Sequence, residues 1–150
     1  MNNNDKREEV MERLFHSIDL GRVVVLLIDM QDRFLDNKEK WDLIPRQLAV
    51  LAYCEENGIP VIKIETEGFG TTNFRLIEAF DRIPVRRKAT LVKLEEDAFD
   101  GTGLDDILNS FDATALLLMG VNACKCIYKT AITGRNHGYT VLMNSMLVLS

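Results

Sequence analysis

Three residues whose side chains can do nucleophilic chemistry stand at the ends of apolar segments in this sequence. Asp29 closes the run VVVLLID, Lys93 closes TLVK, and Cys126 follows ATALLLMG within GVNACKCIYKTA. A thiol that attacks a carbonyl needs a base for its proton, and a partly buried carboxylate can serve as that base. The three residue types together predict covalent catalysis by a cysteine.

Each of these residues also has an ordinary structural interpretation. Asp29 could cap the following turn, Lys93 could be solvated, and Cys126 could be a small buried hydrophobic residue, as Cys54 is predicted to be. Coincidence of position favours a site, because the carboxyl ends of parallel strands meet at the edge of a sheet where ligands bind. In the first turn of a helix, Cys126 would also lie beside unpaired amides that favour a thiolate.

The elements that must position these residues are short strands alternating with helices. Val, Ile and Leu predominate in five predicted strands, at residues 23–29, 60–65, 90–94, 113–120 and 139–144. Apolar periodicity and helix-boundary residues predict helices at residues 8–18, 45–57, 74–80, 104–111 and 125–137. This order predicts an α/β fold, a three-layer α/β/α sandwich around a mostly parallel sheet.

Length, composition and charge restrict the class of protein. A chain of 150 residues with 47% hydrophobic and 27% charged residues predicts a single domain over residues 1–150, with a helical lead-in over residues 1–20. The net charge of −5, without a basic cluster, argues against nucleic acid as a partner. No apolar run approaches the ~18 residues of a membrane span, so we expect no membrane partner. Three cysteines fit a reducing compartment, and we expect a cytoplasmic protein that binds a small molecule.

The motifs DMQDRF, a lysine followed at four residues by DAF, and GVNACKCIYKTA with HGYTV beyond it resemble the isochorismatase-like cysteine hydrolase superfamily. The resemblance extends over residues 22–144. It implies a catalytic triad of Asp29, Lys93 and Cys126. It also implies a cis peptide bond between Val121 and Asn122, in the turn before the cysteine.

The resemblance further implies a reaction and a pocket. We expect hydrolysis of a C–N bond in a small amide or carbamoyl-type substrate through a thioester, with the oxyanion held by main-chain amides of Lys125 and Cys126. Gln31, Phe34 and Phe99 are the predicted pocket residues. Because family members are generally oligomeric, we also expect a homo-oligomer.

The sequence departs from the family in several places. Ala123 stands where a threonine is usual, and the chain ends at Ser150, before a last helix and strand, so we expect a sheet one strand short of the family's sixth. Residues 66–92 contain no histidine, unlike the metal-binding segment of nicotinamidases, and Cys124 with Cys126 is too few ligands for a site. We therefore expect no metal, no other cofactor and no nicotinamidase activity. Isochorismatases proper, which cleave a vinyl ether, lack the cysteine as a rule. The presence of Cys126 therefore favours a substrate in which a C–N bond is cleaved.

Two other functions stay open at this point. Residues 68–72, GFGTT, lie between a predicted strand and a predicted helix, where main-chain amides could bind phosphate or a nucleotide. The segment lacks the third glycine and the lysine of a P-loop. Ala123 and the short carboxyl end also leave room for a catalytically inactive assembly or binding module with an isochorismatase-like fold.

Overall fold

A computed structural model describes residues 3–16 and 21–150, and within these residues five parallel strands form one sheet. The strands are β1 (Val23–Ile28), β2 (Val61–Thr66), β3 (Lys88–Lys93), β4 (Ala115–Val121) and β5 (Thr140–Leu149), in the spatial order β3-β2-β1-β4-β5. The helices are α1 (Asn3–His16), α2 (Lys38–Trp41), α3 (Leu43–Asn57), α4 (Phe74–Asp81), α5 (Leu104–Ser110) and α6 (Tyr128–Asn136). The predicted α/β/α sandwich is confirmed.

The central strand β1 is apolar without alternation because both faces of the sheet are covered. Val25 and Leu27 belong to a hydrophobic cluster that includes Leu51 of α3. Leu26 and its alternate neighbours belong to a second cluster, which contains residues of α5 and α6. Successive side chains of a strand point to opposite faces, so one strand contributes to both clusters. The strand places whatever follows Ile28 at the carboxyl edge of the sheet.

Strand β5 is longer than the predicted segment 139–144 and extends over Thr140–Leu149. It pairs with β4 up to Leu118 opposite Met143, and pairing resumes with Gly120 opposite Val148. Between these two pairs the chain advances five residues in β5 but only two in β4, so the edge strand contains a bulge. The polar pair Asn144 and Ser145 interrupts the apolar pattern here, and this is why the sequence predicts an early end.

The amino-terminal helix begins earlier than the prediction of residues 8–18, since α1 runs over Asn3–His16. Met11 is buried in the cluster that contains Leu51. The last predicted helical residues, 17 and 18, lie outside the described residues. No helix in the described ranges 3–16 and 21–150 has the length and apolar character needed to cross a membrane.

Candidate active site

Asp29, Lys93 and Cys126 meet at the carboxyl edge of the sheet. Lys93 Nζ lies 3.1 Å from Asp29 Oδ2 and 3.6 Å from Cys126 Sγ. Asp29 follows β1, Lys93 ends β3, and Cys126 lies in a wide helical turn, Ala123–Ile127, directly after β4. A carboxylate, an ammonium and a thiol from three separate segments are thereby brought into one cluster.

The backbone and β2 fix the Asp29 carboxylate. Asp29 has a φ of 55°, a left-handed conformation that Asp tolerates better than most residues. Its N–H donates to the Ile64 carbonyl at 3.0 Å, and the Thr66 hydroxyl donates to Asp29 Oδ1 at 2.8 Å. Oδ2 forms the ion pair with Lys93 and accepts no hydrogen bond of good geometry. A lone pair of Oδ2 is therefore available for a proton.

The Lys93 ammonium is held by main-chain carbonyls as well as by the anion. Its side chain is only 1% exposed, and Nζ donates to the carbonyls of Glu95 at 3.0 Å and Glu96 at 3.2 Å. An ammonium has three N–H donors, so the third is left for Asp29 and Cys126. The cation cannot rotate away from the thiol without losing these bonds.

The surroundings of Cys126 favour the protonated thiol over the predicted thiolate. Burial, together with the neighbouring Asp29 carboxylate, raises the pKa of Cys126 from 9.0 to about 11, against the lowering effect of Lys93. The wide turn Ala123–Ile127 continues directly into α6, Tyr128–Asn136, so the predicted helix 125–137 begins two residues earlier, at Ala123. Cys126 lies in the first turn of this continuous helical segment, as predicted.

The turn before the cysteine contains a cis peptide bond between Val121 and Asn122. The Asn122 carbonyl accepts hydrogen bonds from the Lys125 N–H at 3.1 Å and the Ile127 N–H at 3.2 Å. The predicted oxyanion donor at Lys125 is therefore already engaged with Asn122. The Cys126 amide is left as the main-chain candidate for that role.

A buried lysine that sequence reasoning missed is attached to this turn. Lys40 is 5% exposed, and its Nζ donates to Asp36 Oδ1 at 2.9 Å and to Asn122 Oδ1 at 2.8 Å. Nothing in the charged segment NKEK distinguishes this lysine from its solvated neighbours. Thr66 was also missed, although its place at the end of β2, beside β1, was a usable signal.

Gln31, predicted as a pocket residue, links the ends of two strands in the structure. It is fully buried. Its Nε2 donates to the carbonyls of Thr66 at 2.9 Å and Gly70 at 2.7 Å, and its Oε1 accepts from the Thr66 N–H at 2.9 Å. Both amide hydrogens are thus used by main chain, and Gln31 ties the segment after β1 to the end of β2 and the loop beyond it.

Phe34, another predicted pocket residue, packs against the loop that follows β2. It ends the short 3-10 turn Asp32–Phe34 after Asp29 and stacks on Phe69 with ring centroids 4.8 Å apart. Phe69 belongs to the loop after β2 and is 41% exposed. The two rings form an apolar wall beside the ends of β1 and β2.

Phe99 does not lie with these rings. It is buried beside His137 and Tyr139, at ring-centroid distances of 5.1 Å and 6.2 Å. These partners follow α6 and precede β5, so they lie at the amino-terminal edge of the sheet, opposite the triad. The prediction of Phe99 as a pocket residue is corrected, because its ring fills the core beneath α6 instead.

The segment 68–72 does not form a phosphate-binding loop. Glu65 Oε2 accepts hydrogen bonds from both the main-chain N–H and the hydroxyl of Thr72. Asn73 caps α4 by accepting from the Arg75 N–H at 3.0 Å. The amides of Thr72 and Arg75 are therefore occupied, and the Glu65 carboxylate would repel an anion.

A metal site of the nicotinamidase kind does not fit the residues at this edge. Within residues 3–16 and 21–150, no three His, Cys, Asp or Glu side chains converge as a ligand set. The carboxylate of Glu65, near the end of β2, is already engaged with Thr72.

Comparison with known proteins identifies the family. The family model described as Isochorismatase domain matches residues 23–148. The nicotinamidase of Staphylococcus aureus is similar in structure, with a TM-score of 0.77 and 17% identity over 86% of this chain and 83% of that one. For the N-carbamoylsarcosine amidase of Thermoplasma acidophilum, the TM-score is 0.71 and the identity is 20%, over 86% of this chain and 84% of that one. An isochorismatase of Pseudomonas putida has a TM-score of 0.73 and 16% identity, over 91% of this chain and 75% of that one.

Identities this low establish a shared fold and no more. Among curated proteins, none matches the sequence significantly. The domain match covers most of the chain, however, and the sheet order and the solved structures agree with it. The protein therefore belongs to the isochorismatase-like family of hydrolases.

Proposed function

We propose that the protein is a cysteine hydrolase that cleaves the C–N bond of a small amide or carbamoyl-type substrate through a thioester. The observation that carries the proposal is the buried Lys93 ammonium, which contacts both the Asp29 carboxylate and the Cys126 thiol. Two of the structurally similar proteins are named as a nicotinamidase and an amidase, which supports a C–N bond as the target. The absence of histidine from residues 66–92 argues against a zinc-dependent nicotinamidase.

The first step is attack by sulfur with transfer of its proton. Asp29 Oδ2 takes the thiol proton as Cys126 Sγ bonds to the substrate carbonyl carbon. The net charge of the three side chains and the substrate together does not change, because the negative charge only moves from the carboxylate to the sulfur and then to the substrate's carbonyl oxygen. Lys93 stands 3.1 Å from the first position and 3.6 Å from the second, so the charge moves beside one fixed cation. This arrangement makes a thiol with a raised pKa usable.

The second half returns the cysteine to its starting state. The C–N bond breaks, the leaving nitrogen takes the proton from Asp29, and an amine departs from the acyl thioester. A water molecule then attacks the thioester carbonyl and gives a proton to Asp29. The C–S bond breaks, the acid leaves, and the sulfur recovers its proton from Asp29. The sum is one amide and one water converted to one acid and one amine.

An acyl adduct on Cys126 tests this function. The purified protein is incubated with a panel of amides and N-carbamoyl compounds, quenched in acid and digested with trypsin. Cleavage after Lys125 places Cys124 and Cys126 on different peptides, so the adduct is assigned by mass. We expect the acyl mass on the peptide CIYK, and no product from the Cys126→Ala variant. Hydrolysis by that variant, or an adduct on Cys124, would show that the proposal is wrong.

We also propose that the chain self-associates along its β5 side. Met143 and Met146 of this edge strand are 46% and 54% exposed. Exposed apolar edge strands are usually covered by another chain or by further structure. Analytical ultracentrifugation at micromolar concentration tests this, and a compact monomer would contradict it.

A further inference from the structure

Lys40 is a buried cation that contacts none of the three triad residues. Its Nζ bridges Asp36 Oδ1 and Asn122 Oδ1, at 2.9 Å and 2.8 Å, although Asn122 is 82 residues away in the sequence. Burying an ammonium is costly unless it is paired and hydrogen-bonded. The neighbouring Lys38 shows the ordinary alternative, because it is 85% exposed and pairs with Asp42 on the surface. The position of Lys40 therefore has to be explained by its partners.

The two partners belong to the segments that carry the base and the nucleophile. Asp36 lies in the loop after β1, seven residues beyond Asp29. Asn122 begins the turn that holds Cys126, and its carbonyl accepts from the amides of Lys125 and Ile127, on either side of the cysteine. The side chain of Asn122 is thus fixed by Lys40, while its main chain fixes the turn. Lys40 joins the Asp29 segment to the Cys126 turn without touching the reacting atoms.

We propose that Lys40 is a positioning residue, which acts through Asn122 to hold the Cys126 turn against Asp29 and Lys93. Without Lys40, Asn122 Oδ1 loses its charged donor and the turn is free to move away from the sheet edge. Proton transfer from Cys126 to Asp29 depends on hydrogen-bond distance, so turnover falls while substrate binding changes less. This inference rests on the proposed function for its kinetic part. Its structural part is measurable on the protein alone.

The substrate-free test is alkylation of the native protein by iodoacetamide at pH 8, followed residue by residue after trypsin digestion. Burial contributes most to the raised pKa of Cys126, so a loosened turn exposes more thiolate. We expect Lys40→Met to increase the labelling rate of Cys126 by about fivefold or more. The matched control Lys38→Met removes an exposed lysine of the same helix and should match the wild type. Cys54, which is fully buried in α3, reports global opening and should not change.

The kinetic test uses any substrate that the wild type hydrolyses. We expect Lys40→Met to lower kcat by about tenfold or more with a much smaller change in KM, and Asn122→Ala to do the same. If Lys40 acts through Asn122, the double variant is no worse than either single variant. If the Lys40→Met variant folds poorly, the Asn122→Ala variant tests the same contact from its other side.

Two results would overturn the inference. One is equal behaviour of Lys40→Met and Lys38→Met in the labelling of Cys126. The other is labelling of Cys54 that rises in step with that of Cys126, because Lys40 would then stabilise the whole fold rather than the turn. If the wild type hydrolyses nothing in the panel, the proposed hydrolase function fails, yet the labelling comparison still decides the role of Lys40.

Discussion

The Lys93 ammonium lies 3.1 Å from the Asp29 carboxylate, with the two side chains only 1% and 2% exposed. Strand β2 lies between the strands that carry them, and Thr66 at its end donates to the same carboxylate. Removing one partner of a buried ion pair leaves an uncompensated charge, at a cost of about 3–5 kcal/mol. Fold stability and the candidate site thus depend on the same pair.

Substitution of the nucleophile and of the base should each nearly abolish turnover. Cys126→Ala removes the attacking atom, and Asp29→Asn removes the acceptor of its proton, so we expect each to lower kcat by about 10³-fold or more. The double variant should add little, because a nucleophile without its base is already ineffective. Initial rates on the best substrate of the amide panel, with circular dichroism to confirm the fold, measure this.

The control for that prediction is Cys124→Ala. Cys124 is exposed and its N–H donates to Ser150 Oγ at 3.0 Å, so it lies outside the triad. We expect less than about a threefold change in kcat, in line with a surface position. If the Cys124→Ala variant is inactive and the Cys126→Ala variant is active, the nucleophile is Cys124 and the assignment to Cys126 is wrong.

Alkylation of Cys126 should depend on pH with a pKa near 11, and the Asp29→Asn variant should shift it downward. Asp29 favours the protonated thiol, so a neutral amide in its place lowers the pKa of Cys126. Each unit of decrease gives about ten times more thiolate at pH 8. The native protein is labelled with iodoacetamide from pH 7 to 11, and the rate of Cys126 alkylation is read from the tryptic peptide CIYK. The Lys93→Met variant should have a higher pKa of Cys126, because Lys93 lowers that pKa. Slower alkylation of the Asp29→Asn variant than of the wild type would contradict this electrostatic account.

The buried thiol of Cys54 should make the protein less stable at alkaline pH. Burial raises the pKa of Cys54 to about 12, with Arg87 opposing the shift. An unfolded thiol ionises near pH 8.5, so from there to about pH 12 the unfolded state binds fewer protons than the folded state. The free energy of unfolding therefore falls with rising pH in this window, by about 1.4 kcal/mol per pH unit from this group.

Urea unfolding at pH 7.5 and pH 10 measures that loss. The Cys54→Ala variant is less stable at pH 7.5 because it leaves a small cavity, but its stability should fall less between the two pH values. Equal slopes for the wild type and the variant would mean that other groups cause the alkaline loss.

Gly120→Ala should be severely destabilising, whereas Gly68→Ala should not be. A Cβ on Gly120, at φ 136°, would lie 1.9 Å from the Ile28 carbonyl oxygen, so β1 and β4 would have to separate beside Asp29. We expect a loss of about 3 kcal/mol or more for Gly120→Ala. Gly68 also has a positive φ, of 83°, but open space around it, which limits its cost to about 1–2 kcal/mol. Chemical denaturation of both variants tests the contrast, and similar losses would refute the steric explanation.

The strands of the sheet and the residues at their ends could be predicted from the sequence, because they follow from local patterns. The unbroken apolar run of β1 predicts a strand covered on both faces, which then delivers Asp29 to the ligand-binding edge. Lys93 and Cys126 follow by the same argument.

Features that depend on distant contacts could not be predicted. The burial of Lys40 depends on Asn122, and the raised pKa of Cys126 depends on burial and on Asp29, neither of which is local. Phe99 is close to Lys93 in the sequence, yet the chain turns between them and carries its ring to the other edge of the sheet. The end of β5 was missed because a bulge, and not a turn, follows Asn144.

The three hydrogen bonds of Gln31 restrict the movement of the loop after β2. They attach the segment after β1 to Thr66 and Gly70, on both sides of the loop that bears Phe69. At about 1 kcal/mol each, breaking all three costs about 3 kcal/mol, so a detached loop is populated at roughly one part in a hundred. The wall formed by Phe34 and Phe69 is therefore a preformed surface rather than a closing lid. Under the proposed function, we expect substrates to be selected by how their shape fits this fixed aromatic face, with little binding energy spent on ordering the loop.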